Sequence, residues 1–391
     1  MKVLVVEDNP EKLSEIKDVL NGIGFDIKIK DCNSIISFSA EINKETFDLV
    51  VVDLVLPIFG ETVLDKPQDV TSRMVEIIRD YDSKNYKTPV IAITQFSDSA
   101  ESNFSNLNRH DINVITYEQG SEDWKKSFIR KIVSCIPKVT YDFIIVCALE
   151  KEAESYIEAG YTKPKTSIKF GLNCQDIMID GHSGIIIVPP RMGLVNTSIV
   201  SARAIDLFEP KIICMSGICA GIEGKANIYD IVIPSQCDQH DAGKWSSEGF
   251  VPESYSIPLI HDTEVAINRI VKEKSFIDEI SCDVLLQGSE MIDDSSSLDV
   301  KIYTATTSSG SSVIADETML DHVTAQHRKK TAFEMESYAL YEAARRSPLK
   351  PNYFSAKSVV DNGNTSKGDE YHRVAALISA KAVYGLIKEL I

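Results

Sequence analysis

In "SVVDNGN" an apolar run ending at Val360 delivers Asp361 to the mouth of a glycine- and polar-rich loop. An aspartate at the carboxyl end of a strand is where an open α/β sheet keeps its chemistry. Upstream, "AFEMESYALYEAA" sets Glu334 and Glu336 on either side of Met335 at the entrance of a predicted helix, and "VCALEKEAE" places Glu152 just after an apolar strand. An ionised carboxylate offers two acceptors to a vicinal diol. A carboxyl kept protonated by partial burial, or one that delivers a hydrogen bond, can assist a leaving base. Cleavage of an N-ribosidic bond passes through an oxocarbenium-like sugar and needs these functions together with a directed nucleophile. The residue types assign Asp361 as the acid, Glu336 as the acceptor of the ribose 2′ and 3′ hydroxyls, and Glu152 as the group that polarises water. Any one of them alone reads more simply as an exposed helix acid; it is the set that points to chemistry.

The first half holds a second acidic constellation. Glu7 and Asp8 end the first predicted strand and Asp53 ends the third, so in a doubly wound sheet all three converge at the carboxyl edge. Clustered carboxylates with room for water are the ligand set Mg²⁺ prefers, and an aspartate in such a place can accept a phosphoryl group.

The elements that must position these groups differ between the two halves. Residues 1–135 alternate apolar strands ("KVLVV", "DLVVVDLVLP", "TPVIAIT", "NVITY") with amphipathic helices ("EKLSEIKDVLNGIG", "VTSRMVEIIRDY", "WKKSFIRKIVSCI"). That alternation predicts a flavodoxin-like parallel sheet covered on both faces. The segment 136–141, with a helix-breaking Pro137, reads as a linker. Residues 142–391 have longer, less regular strands, a helix over "VNTSIVSARAIDLF" and a closing helix from Glu370 to Leu390, which predicts a second α/β domain with a mixed sheet. The serine-rich "DDSSSLD" and "TTSSGSSV" read as loops.

Composition narrows the function classes. At 391 residues two domains are the default, and 43% hydrophobic with 25% charged residues is ordinary for a soluble globular protein. A formal charge of −17 argues against nucleic acid or anionic membrane as partners, both of which reward basic patches. The eight cysteines lack C-x-x-C pairing and read as reduced thiols in a cytoplasmic protein. No stretch approaches the length of a membrane span or the apolar core of a signal peptide.

Two resemblances follow from the motifs. Residues 1–135 resemble the receiver domain of two-component response regulators: "VVEDNP" matches the acidic pair, "VVDLVLP" the phosphoacceptor strand around Asp53, and "IAITQF" the switch hydroxyl at Thr94. The resemblance implies Mg²⁺ held by Glu7, Asp8 and Asp53, and a histidine kinase as phosphodonor. One departure is clear: "ITYEQG" puts Tyr117 where receivers carry a lysine, and Lys66 in a longer loop after Pro57 is a conceivable substitute.

Residues 142–391 resemble the nucleoside phosphorylase/nucleosidase superfamily, through "DFIIVCALEKEAESY", "VPPRMGLVNTSIVSARAI", "PKIICMSGICAGIEGKANIYDIVIPSQCDQHDAGKW", "SSGSSVIADE", "FEMESYALYEAA" and "SAKSVVDNGNTSKGDEYHRVAALISAKAV". They are most similar to the branch containing methylthioadenosine/S-adenosylhomocysteine nucleosidase. The resemblance implies that Asp361 protonates the purine, Glu152 activates water, and Met335 and Glu336 hold the ribose. It adds Phe333, Glu334, Val313, Ile314 and Gly217 to the substrate site, and no cofactor. Val360 stands where the small nucleosidases have serine, Val313 lies near their adenine-stacking phenylalanine, and "GICAG" replaces their glycine-rich turn.

The fusion itself resembles effectors of phage-defence two-component systems of the Detocs type, which remove adenine from ATP. It implies a regulated purine nucleosidase acting on an adenine nucleotide, with Arg191, Lys357, Lys244, Lys367, His372 and Arg373 as candidate cations for a triphosphate. A homodimer or higher oligomer is the expected assembly. Two other readings stay open: a methylthioadenosine/S-adenosylhomocysteine nucleosidase under receiver control, and a nucleotide-binding signalling protein without turnover.

Overall fold

The runs "KVLVV", "LVVV" and "VIAIT" are apolar and largely β-branched, and in the computed structural model they are the central strands of a parallel sheet. The structure describes all residues except 25–26, 61–64, 96, 137, 248, 293–297, 315 and 364–368. The described residues divide into two units, Met1–Lys138 and Val139–Ile391. The predicted break at Pro137 lies outside the described residues. Tyr141, placed in the linker by its sequence, belongs to the second unit: its N–H donates to the Phe208 carbonyl at 3.0 Å and its ring meets Phe208 edge-on.

The first unit runs β1 (Lys2–Val6), α1 (Pro10–Gly22), β2 (Lys28–Cys32), α2 (Ile35–Lys44), β3 (Leu49–Val52), α3 (Thr71–Ile78), β4 (Val90–Thr94), α4 (Ser97–Arg109), β5 (Ile112–Thr116) and α5 (Asp123–Cys135). The sheet order is β2-β1-β3-β4-β5, parallel throughout. Side chains alternate across the strands, so each face has its own core. Val3, Val5, Val51 and Ile93 pack against Ile16 and Leu20 of α1 and Phe128 of α5. Leu4, Val6, Val50 and Val52 pack against Phe38 of α2 and Met74 and Ile78 of α3. The strand order reverses between β1 and β3, and Glu7, Asp8 and Asp53 sit at that switch point, where a doubly wound sheet opens a crevice.

The second unit begins with β6 (Phe143–Cys147), α6 (Glu150–Glu158), β7 (Thr166–Lys169), β8 (Leu172–Ile179), β9 (His182–Val188), α7 (Leu194–Phe208), β10 (Ile212–Gly221), β11 (Ile231–Gln239) and β12 (Tyr255–Pro258). It continues through α8 (His261–Ile270), α9 (Lys274–Ser281), β13 (Ile302–Ser309), α10 (Glu317–Ala325), β14 (Lys330–Glu334), α11 (Ser337–Arg346), β15 (Asn352–Asp361) and α12 (His372–Leu390). Its ten-stranded mixed sheet has the order β12-β11-β13-β14-β10-β6-β9-β8-β7, and β15 pairs with both β10 and β11. Strands β10, β15, β11, β13 and β14 therefore close a ring. A register shift between Cys219 and Ala220, where the pairing of β10 with β15 steps from Val359 to Asp361, is the kind of irregularity that re-aims side chains at the rim of a barrel.

Two expectations about elements change. The closing helix starts at His372, not Glu370. The first half of "TTSSGSSV" is not a loop: Thr306–Ser309 complete β13. Buried hydroxyls are tolerated there because they are bonded, Ser308 with His240 Nδ1 at 2.9 Å and Ser309 to the Glu334 carboxylate. All eight cysteines are free thiols, five of them buried and Cys282 exposed. No helix among the described residues is long and apolar enough to cross a membrane.

Candidate active site

Strand β6 ends in the second unit at Cys147, and Glu152 follows in the first turn of α6. Its carboxylate turns back to cap its own helix: Oε2 accepts the Leu149 N–H at 3.0 Å. The other oxygen, Oε1, accepts the Ile218 N–H from β10 at 3.0 Å. Gly217 makes this approach possible, because a Cβ on it would lie 2.2 Å from Glu152 Oε1 and its φ is +154°. Ser379 of α12 holds the same peptide, accepting the Gly217 N–H at 2.8 Å. Burial pushes the Glu152 carboxyl up to about 7; the Lys357 ammonium opposes that rise and Glu336 adds to it.

The other two glutamates flank the start of α11. Glu334 ends β14 and is committed: it takes the Ser309 hydroxyl, the Glu336 N–H at 2.9 Å, the Ser337 N–H at 2.9 Å and Lys357 Nζ at 2.6 Å. Glu336, at the N-cap of α11, accepts the Gly193 N–H on Oε1 at 3.0 Å and Lys357 Nζ on Oε2 at 2.7 Å. Lys357, on β15, is 3% exposed. Burial alone would depress its ammonium, but Glu334, Glu336 and Glu152 outweigh burial and hold it above its ordinary range. Burial would likewise raise Glu334, and Lys357 reverses the shift, keeping it below the usual carboxylate value.

Asp361 closes β15, where Oδ1 accepts the Gly363 N–H at 2.6 Å. Gly363 has φ +69°, and a Cβ there would sit 2.3 Å from the Phe333 ring. The turn that aims Asp361 is thus packed directly on the wall of the site. A cavity of about 320 Å³ brings together Glu152, Val313, Ile314, Phe333, Glu334, Met335, Glu336 and Asp361. Of the substrate-site residues named from the sequence, Gly217, Arg191, Lys357, Lys244 and Arg373 are not on its surface, and Lys367 lies outside the described residues. Met192, Ser312 and Asp369 also line the cavity; they fall inside the motifs that carry the superfamily resemblance, but as ordinary apolar or polar loop residues their types mark no chemistry.

A model of the phosphorylase superfamily matches residues 142–391. The chain belongs to the phosphorylase superfamily. Curated relatives include uncharacterized protein y4jS of Sinorhizobium fredii, 25% identical with 99% of this chain and 98% of that protein covered. The Escherichia coli ATP nucleosidase Cap17 is 24% identical over 203 residues, 51% of this chain and 40% of that protein. The matched stretch is thus less than half of Cap17. Among solved structures, the 5′-methylthioadenosine/S-adenosylhomocysteine nucleosidase of Neisseria meningitidis superimposes with a TM-score of 0.50 at 18% identity, covering 63% of this chain and 99% of that one. Futalosine hydrolase of Helicobacter pylori gives 0.51 at 16% identity, with 63% and 97% covered. These likenesses establish the fold.

The candidate cations of the superfamily domain separate by environment. Lys357 does not face solvent or a polyphosphate path; a lysine in an otherwise apolar strand is buried here because two carboxylates claim it. Arg373 is bound to Glu290 at 2.6 Å and to Glu158. Lys244 is exposed on the hairpin Gly243–Ser246/Gly249–Pro252. His372 lines the cavity with its Nδ1 3.6 Å from Asp369, and Lys367 lies outside the described residues. Arg191 is exposed in a cleft of about 960 Å³, which also holds Arg203 and shares Ala148, Leu149 and Met192 with the site cavity.

In the first unit one oxygen from each of Glu7, Asp8 and Asp53 lies within 4.8 Å of the others. Three hard oxygen ligands at this spacing fit a Mg²⁺ ion that keeps part of its water shell. Burial pushes the Glu7 carboxyl up to about 7, opposed by Lys12 and reinforced by Asp53; burial also raises Asp8. Thr94 is buried at the end of β4, Tyr117 is buried beyond β5, and Lys66 is exposed. Lys12, in the first turn of α1, is 1% exposed and reaches Glu7 at 2.7 Å and Asp53 at 2.5 Å.

Replacing Lys357 by methionine leaves Glu334, Glu336 and Glu152 buried without a counter-charge. The expected loss of stability is about 3–5 kcal/mol, read as a lower urea midpoint, with Lys357→Arg recovering part of it.

Proposed function

We propose that this chain is a purine nucleosidase that hydrolyses the N-ribosidic bond of an adenine nucleotide, ATP first among them. The observation that carries the reading is the convergence of Glu152, Glu336 and Asp361 on one cavity. Glu336 keeps lone pairs beyond those used by Gly193 and Lys357, enough to accept both ribose hydroxyls. Water held by Glu152 attacks C1′ and loses a proton to the Glu152 carboxylate as the new C–O bond forms. The C1′–N9 bond breaks with its electron pair leaving on the purine, and Asp361 supplies a proton or hydrogen bond at N7. Hydrolysis is favoured over phosphorolysis because the group at the attacking side is a buried carboxylate, which repels phosphate.

The preference for ATP is supported by the partial likeness of the superfamily domain to ATP nucleosidase Cap17 and by the cleft with Arg191 and Arg203 beside the site. A methylthioadenosine-type substrate is the second reading, favoured by Met192, Val313 and Ile314 on the cavity wall, which suit an apolar 5′ substituent. The N-terminal unit is read as a receiver domain, supported by its strand order and by the acids at its switch point. On this reading a histidine kinase phosphorylates Asp53 with Mg²⁺ present, Thr94 responds, and the phosphoryl charge orders local structure that controls a homo-oligomeric enzyme. A chain that destroyed ATP without restraint would kill its host, which suits an effector of a cytoplasmic defensive two-component system.

Purified protein incubated with ATP, AMP, methylthioadenosine and adenosylhomocysteine, with and without phosphate and acetyl phosphate, is expected to release adenine from ATP without added phosphate. Asp361→Asn should slow release by about 100-fold or more. No adenine from any substrate sinks the enzyme reading, and release only with phosphate makes the protein a phosphorylase.

Arg191→Ala is expected to raise KM for ATP about tenfold while leaving methylthioadenosine turnover unchanged, in line with the loss of one charge-assisted contact. Equal effects on both substrates would remove Arg191 from the polyphosphate path.

The pH profile carries a further expectation. With its carboxyl pushed up to about 7, Glu152 is protonated below that pH and cannot take a proton from water; above it the base form dominates. kcat/KM should therefore rise through pH 7, and Glu152→Gln should abolish that limb.

A further inference from the structure

Every carboxylate oxygen of the two buried acids in the first unit already has a partner. Glu7 Oε1 accepts the Asn9 N–H at 2.9 Å and Oε2 pairs with Lys12 Nζ at 2.7 Å. Asp53 Oδ1 accepts the Val55 N–H at 3.3 Å and Oδ2 pairs with Lys12 at 2.5 Å. Helix α1 fixes the lysine there. Asn9 caps the helix by accepting the N–H groups of Glu11 and Lys12, so the Lys12 backbone is pinned in the first turn while its side chain runs into the sheet edge. Tyr117 roofs the ammonium, with its ring centroid 5.6 Å from Nζ.

A divalent ion on Glu7, Asp8 and Asp53 would share two carboxylates with that ammonium. Two cations on the same buried oxygens repel at short range with little water between them. Breaking the Asn9 or Val55 contacts would strand backbone donors, whereas moving Lys12 asks only that a flexible four-carbon stem turn. We propose that Lys12 is a built-in counter-cation of this cluster, and that a divalent metal enters by displacing it. Lys12 thereby sets the metal affinity of the first unit and the supply of the metal-loaded form that phosphorylation of Asp53 requires. The inference rests on the receiver reading only for that consequence; metal binding itself needs neither phosphodonor nor nucleotide.

Trp124 packs on Tyr117 with ring centroids 5.0 Å apart and reports on the roof over Lys12. The chain has two tryptophans, so exchanging the exposed Trp245 for phenylalanine leaves Trp124 as the single indole. The full-length Trp245→Phe protein is titrated with Mg²⁺ and Mn²⁺ by fluorescence, with calorimetry and thermal melts in parallel. Lys12→Gln and Lys12→Met are expected to bind Mg²⁺ at least about tenfold more tightly, as removal of one short-range unit charge requires, and to gain more Tm from Mg²⁺ than the parent. Lys12→Arg, which keeps the charge, is expected to stay near the parent. Unchanged or weaker Mg²⁺ affinity in Lys12→Gln and Lys12→Met overturns the proposal. So does a variant that stays unfolded at saturating Mg²⁺, because relief of acid–acid repulsion by metal is what the proposal demands. A protein that follows the expected pattern yet takes no phosphoryl group from acetyl phosphate keeps the role of Lys12 and sinks the receiver reading.

Discussion

The ammonium of Lys357 is the charge around which the candidate site is assembled. Three carboxylates, Glu152, Glu334 and Glu336, are buried in the same neighbourhood, and without a cation their mutual repulsion and lost hydration would drive them to protonate or to open the site. Lys357 binds two of them directly at 2.6 and 2.7 Å and lowers the charge seen by the third. Glu334 is spent on structure: it ties the end of β14 to the first turn of α11 and anchors the lysine. That leaves Glu336 oriented by Gly193 and Lys357, and the Glu152 carboxyl raised by burial against the opposing pull of the ammonium.

The first unit solves a similar problem with the same device. Glu7, Asp8 and Asp53 gather at the switch point of a parallel sheet, and Lys12 is drawn in from a helix to pair with the two buried ones. In both units a buried lysine is stabilised by the acids it pairs with. The difference lies in attachment. Lys357 extends from a central strand, paired on both sides by β10 and β11, whereas Lys12 stands in the first turn of a helix and has a stem free to turn.

Much of the site was legible because its acids sit at element ends. A strand followed by an acid and a turn, as at Asp361, or an acid pair opening a helix, as at Glu334 and Glu336, is a local pattern that one sequence displays. The apolar strands of the first unit were legible for a related reason, since a sheet covered on both faces needs continuous apolar runs. What misled was polarity read without partners. Lys357 read as a candidate cation for a triphosphate and Ser308 and Ser309 as loop residues, yet all three are internal because carboxylates and His240 receive them. Lys12 gave no signal at all: its neighbours in sequence are those of any amphipathic helix, and its partner Asp53 follows β3, 41 residues away.

Hydrophobic period and chain punctuation over short distances are enough to set the alternation of elements and which acids stand at strand ends. Which acids meet, which cations they consume, and why Gly217 and Gly363 are glycines, with Glu152 and Phe333 lying against them, are settled by the folded chain. Those outcomes depend on pairing between residues far apart in the chain. A charge takes its state from what surrounds it in space, and that surrounding is written across segments that no local pattern connects.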